Sequence, residues 1–112
     1  MHTFKYRTPR YPMDVPVRLT LGDGSITGRC REISKEGMRL ELEEPLSPNY
    51  SGTVSLQYED LALTLPVQYA HSDPPQEGVR FNFVSDRQRH DVARLVARVA
   101  ANSRPSAIVL VK

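Results

Sequence analysis

The stretch Val15-Pro16-Val17-Arg18-Leu19-Thr20-Leu21-Gly22-Asp23-Gly24-Ser25-Ile26-Thr27-Gly28-Arg29-Cys30-Arg31-Glu32-Ile33 decides the fold. Val17, Leu19 and Leu21 alternate with Arg18 and Thr20, the period of a strand with one buried face. Gly22-Asp23-Gly24 is a hairpin signal, because glycine tolerates the positive φ of a tight turn. Ile26 to Ile33 is then the partner strand. The same alternation recurs downstream. Met38, Leu40 and Leu42 mark a third strand, Val54, Leu56 and Tyr58 a fourth. Leu61, Leu63, Leu65, Val67 and Tyr69 mark a fifth, and Val79, Phe81 and Phe83 a sixth. Pro66 lacks a ladder donor and predicts an edge position or a bulge there. Residues 43–52 and 72–78 carry the breakers Pro45, Pro48, Pro74 and Pro75 and are expected as loops. Six short strands at this spacing predict an antiparallel barrel or sandwich.

One helix follows. Ser85 is placed to cap it, Gln88 stands three residues on as a capping box requires, and Asp86 suits the positive end of the helix dipole. Val92, Leu95, Val96, Val99 and Ala100 form an apolar stripe that should pack on the barrel, with Arg87, Arg94 and Arg98 elsewhere. The domain is expected over residues 15–103, preceded by a flexible basic arm over residues 1–14. An apolar tail, residues 104–112, is sticky if left free. It either adds a strand or docks, on a partner or on a second copy as a homodimer; docking is the reading adopted here.

The chain has 112 residues, 39% hydrophobic and 25% charged, which suits one ordinary globular domain. No apolar run approaches the roughly 20 residues of a membrane span, and the N-terminus has no signal-like apolar core. The lone cysteine, Cys30, reads as a small buried side chain and fits a reducing cytoplasm. Charge is uneven. Residues 1–31 carry a net +4, residues 32–77 a net −7 and residues 78–112 a net +5. An acidic middle and only 7% aromatics argue against nucleic-acid binding, which needs a basic footprint and stacking platforms. His2, His71 and His90 are dispersed, and no His/Cys cluster stands at metal spacing. No P-loop, Gly-x-Ser-x-Gly elbow or dinucleotide fingerprint occurs. Catalytic residues, metals and cofactors are therefore not expected.

The informative polar groups are Arg7 and Arg10 in the arm and the segment Glu32-Ile33-Ser34-Lys35-Glu36-Gly37 at a strand end. Arginine forks match phosphate oxygens, and a Ser/Gly turn offers backbone N–H groups, a hydroxyl and a nearby carboxylate. Arg7-Thr8-Pro9-Arg10 followed by Glu32-x-Ser34-x-x-Gly37 resembles the PilZ domain, a bacterial receptor module for cyclic di-GMP. The resemblance runs from about Tyr6 to Asn102. It departs at two places: Tyr6 stands where the first motif arginine belongs, and Glu32 where the family has Asp or Asn.

The resemblance implies a six-stranded antiparallel barrel with a C-terminal helix, read here as a stand-alone cytoplasmic receptor or adaptor. Arg7, Arg10, Glu32, Ser34 and Gly37 would bind cyclic di-GMP, and an unidentified protein partner would read the change. Arg7 and Arg10 would hold phosphates and guanine edges, and Ser34 would donate to a phosphate or base. Glu32 would accept from guanine N–H groups. Gly37 would shape the turn or admit the ligand to the backbone. Tyr69 is a further candidate to flank a base. A degenerate adaptor without the nucleotide is the alternative. Exposed arginines and a Ser-x-x-Gly turn are individually common; the six-strand-plus-helix frame around them favours binding.

Overall fold

A hairpin turn that only glycine enters without strain opens the barrel. In a computed structural model, which describes residues 8–103, Gly22 takes φ 59° and joins β1 (Tyr11–Leu21) to β2 (Gly24–Ile33) through two residues. β3 (Gly37–Leu42), β4 (Ser51–Tyr58), β5 (Leu61–Asp73), β6 (Gln76–Phe81) and helix α1 (Asp86–Ser103) follow. The strands close in the order β1-β2-β3-β6-β5-β4, all neighbours antiparallel. Closure leaves no open sheet edge. The expected six-stranded antiparallel barrel with a C-terminal helix is the fold found.

The inward residues are those the alternation marks. Leu19, Leu40, Leu65 and Val54 are fully enclosed, with Val17, Met38, Leu42, Val67, Val79 and Phe81 beside them. Cys30 lies among them, and burial pushes its thiol up to about 12, so it stays protonated and inert.

Several boundaries differ from expectation. β1 begins at Tyr11, so Tyr11 to Asp14 belong to a strand and not to a loose arm. A bulge between Pro12 and Val15 accommodates them, with Tyr11 opposite Ile33 and Pro12 opposite Glu32. Pro66 lies in an interior strand with unbroken register, opposite Thr53. Its carbonyl accepts from Asn82 N at 2.8 Å, one residue past the end of β6. The missing N–H thus falls where the β5–β6 ladder has already ended. The expected loop at 72–78 is a two-residue turn, Pro74-Pro75, because β5 and β6 pair as far as Asp73 and Gln76. The C-terminal tail and the arm residues before Thr8, Arg7 among them, lie outside the described residues.

α1 packs against β1 and β5 through Val92, Leu95, Val96 and Val99, all buried. Ser85 Oγ accepts from Gln88 N at 3.3 Å, while Gln88 Oε1 accepts from Val84 N at 2.8 Å. The cap is the expected one, with the return bond one residue earlier than in the standard box. The helix also grips the β4–β5 turn. Arg98 reaches Asp60 at 2.8 Å and Glu59 at 3.1 Å, and Asn102 donates to Tyr58 and Glu59. Glu59 sits at φ 56°, a region non-glycine residues seldom occupy. No helix among the described residues is long and apolar enough to cross a membrane.

Leu95→Ala is expected to lower stability by about 2–5 kcal/mol, read by urea denaturation. The Arg98 hydrogen bond holds the Asp60 carboxyl below its ordinary value of 3.8. Its contribution to stability is therefore present above that value and lost as pH falls through the folded one. Asp60→Asn should lower the melting temperature at neutral pH, and the gap from the parent protein should close in acid.

Candidate functional site

Two bulges, one in β2 and one in β5, decide which side chains meet at one part of the barrel. In β2 the register slips between Cys30 and Glu32. Cys30 and Ile33 therefore both point inward, and Glu32 is turned to the outer face. In β5 the register slips between Tyr69 and His71, which turns His71 outward beside Gly78. A bulge re-aims the side chains that follow it. The result is a lateral row across four strands, Glu32 opposite Arg39, Arg39 opposite Gly78, and Gly78 opposite His71. Gly78 must lack a side chain, since a Cβ there would strike the His71 ring.

Above this row lies an open cleft of about 460 Å³, bordered by Thr8, Arg10, Glu32, Ser34, Arg39 and Arg80, among others. Arg10 immediately precedes β1 and is half-exposed. Glu32 Oε1 lies 3.2 Å from Arg39 Nη2 and 3.8 Å from Arg10 Nη1. Neither guanidinium aims an N–H at it, so this enclosed oxygen has charge partners but no hydrogen bond. Arg39 is steadied from its other side, where Nη1 donates to Gln76 Oε1 at 3.3 Å. Arg31 is occupied elsewhere, by Asp14 at 2.9 Å and Glu41 at 2.7 Å.

The turn is built around the Ser34 hydroxyl. Ser34 Oγ accepts from Glu36 N at 3.1 Å and Gly37 N at 3.2 Å, and Ser34 N donates to Gly37 O at 3.0 Å. These two backbone N–H groups, expected to face a ligand, are satisfied inside the turn. Gly37 serves close packing: a Cβ would collide with the Val79 carbonyl of β6. Its φ is not positive, so the neighbouring strand, not turn conformation, demands glycine.

The structure thus brings Arg10, Glu32, Ser34 and Gly37 together; Arg7 lies outside the described residues. Tyr69 does not border the cleft. It packs against the core, and Ala70 and His71 take its place, because the bulge reverses the pleat after it. Sequence reasoning missed Arg39, His71 and Arg80 as cleft residues. Their one sequence signal is position: Arg39 and Arg80 alternate with inward Met38, Leu40, Val79 and Phe81. Among the described residues no group of three or more His, Cys, Asp or Glu is placed to hold a metal ion.

A family model described as PilZ domain matches residues 5–98. The chain belongs to the PilZ domain family. No curated protein matches it. Among solved structures, the PilZ domain of YcgR from Escherichia coli with c-di-GMP is similar at 16% identity and TM-score 0.78, covering 93% of this chain and 98% of that one. The PilZ domain of CeSA from a cellulose-synthesizing bacterium is similar at 21% identity and TM-score 0.71, covering 83% and 99%. The Bacillus subtilis inhibitor of motility MotI/DgrA is similar at 14% identity and TM-score 0.69, covering 91% of this chain but 54% of that protein. At these identities the likeness is one of fold. The Glu32-x-Ser34-x-x-Gly37 segment of this PilZ domain sits at the β2–β3 junction, beside Arg10.

Gly37→Ala should destabilise the domain by about 1–3 kcal/mol, the usual range for overpacking. Chemical denaturation measures it, and Gly24→Ala, where a Cβ meets only ordinary contact, is the control.

Proposed function

We propose that this chain is a receptor for cyclic di-GMP, a binding module and not an enzyme. The observation that carries the reading is that Arg10, Glu32, Ser34 and Gly37, four of the five motif residues, surround one open cleft. Family membership and the YcgR structure, described as containing c-di-GMP, support it. In this reading Arg10, with Arg7 from the arm, engages the ligand's phosphates and guanine edges, because the guanidinium fork matches both. Ser34 Oγ accepts two N–H groups and donates to Gly37 O at a long 3.5 Å, a bond its proton exchanges for one to the ligand. Phosphate neutralises the arm, which orders over the turn and alters the surface offered to a protein partner. The setting is the cytoplasm, and the C-terminal tail is a docking segment for that partner or for a second copy. Neither nucleic acid nor membrane insertion is part of this reading.

One observation favours a second reading. Glu32 already neutralises cations at the cleft, as in an adaptor that no longer takes the nucleotide. Calorimetric titration with cyclic di-GMP separates the two. A receptor gives saturable heat, and Arg10→Ala weakens binding about ten- to a hundred-fold, the loss of one charge-assisted contact. No heat and no saturation at high micromolar ligand rules out the receptor, and partner binding kept by Arg10→Ala then supports the adaptor.

A further inference from the structure

We infer that Arg39 is a phosphate-binding residue of this site, and that Glu32 Oε1 occupies the place a ligand phosphate oxygen would take. The inference rests on the receptor reading above and supplies the cation that the motif lacks at Tyr6. Two guanidiniums from different parts of the chain converge on one oxygen: Arg10 Nη1 at 3.8 Å and Arg39 Nη2 at 3.2 Å from Glu32 Oε1. That oxygen receives no hydrogen bond. The carboxylate therefore screens the two cations without satisfying their donors. An incoming phosphate brings several acceptor oxygens and more negative charge, and can take directed N–H bonds from both forks.

Arg39 suits the task by its placement. It lies within a paired strand, opposite Glu32 on one side and Gly78 on the other. Nη1 is tethered to Gln76 Oε1 at 3.3 Å, which leaves the Nη2 edge facing the cleft. The His71 ring lies over Gly78 and borders the cleft beside it. Arg80, opposite Gly37 in the adjoining row, adds positive potential along the same wall. On displacement Glu32 remains within reach of Arg39 or turns to solvent, since its side chain is about one-third exposed.

Titrations with cyclic di-GMP and with inorganic pyrophosphate test this on the full chain and on Arg39→Ala, Arg39→Lys and Glu32→Gln. Arg39→Ala should weaken both ligands about ten- to a hundred-fold. Arg39→Lys should fall between, because lysine keeps the charge but not the fork. Glu32→Gln should strengthen pyrophosphate binding about two- to fivefold, the worth of an exposed ion pair released from competition. Thermal melting shows that each variant is folded, and the lysine variant carries the test should the alanine variant unfold. Pyrophosphate affinities that are the same in all four proteins, including no binding in any, overturn the inference, as does weaker pyrophosphate binding by Glu32→Gln. Absence of cyclic di-GMP binding by the parent protein overturns the receptor reading alone, because the pyrophosphate series still ranks the variants.

Discussion

The pleat of a strand has a period of two, and everything at the cleft depends on breaking that period at chosen points. In a closed barrel each residue is committed to the interior or the exterior by its parity. Cys30 points inward, so an unbroken β2 would send Glu32 into the core and Ile33 into solvent. One extra residue, Arg31, reverses the parity. Ile33 then fills the core at 1% exposure, and the carboxylate reaches the outer face opposite Arg39. The same device in β5 exchanges Tyr69 for His71. The site is therefore a consequence of register, and its polar groups stand on backbone already fixed by the barrel ladder.

Much of this was legible in the sequence, and the boundary of legibility has a physical origin. Alternating apolar residues identify strands because burial of one face is a strong, local constraint. Met38, Leu40 and Leu42 or Val92, Leu95, Val96 and Val99 leave little choice of element. Gly22 and Ser85 mark a turn and a cap for equally local reasons. Bulges carry no such mark. Nothing in Arg31 or Ala70 distinguishes an inserted residue from a paired one, since the insertion is defined by the partner strand. Parity could be followed up to each bulge and not beyond it. Hence Tyr69 reads as a cleft residue, Arg39 passes as an ordinary exposed arginine, and Tyr11 to Asp14 look like arm.

Gly37 illustrates a different limit. A Ser-x-x-Gly segment suggests a turn whose glycine bends the chain or admits a ligand. In this protein it has another duty, close contact with the β6 backbone at Val79. The bond from Phe81 N to Glu36 O at 2.9 Å secures the same junction. Ser34 closes the turn from within. A residue pattern shared with a binding motif thus also maintains the architecture of this junction, and loss of either residue would disturb fold and cleft together. Stability measurements are needed beside affinities wherever these two positions are changed.

The placement of the cations bears on how a ligand would be held. Ordering a chain segment costs on the order of 1–2 kcal/mol per residue in backbone entropy, so a guanidinium supplied by an arm carries a penalty that one on a strand does not. Arg39 is anchored in β3 between two neighbouring strands, whereas Arg10 stands just outside β1. Under the receptor reading, moving one phosphate contact from the arm to the sheet lowers the ordering cost of capture. It also weakens the link between capture and arm closure, because less of the binding free energy depends on where the arm lies. The resident Glu32 carboxylate acts in the opposite sense on affinity, since a ligand must first displace it from both guanidiniums. Under that reading Glu32 and Arg39 act on affinity alone, whereas Arg10, in the segment that leads into β1, acts on affinity and signalling response together.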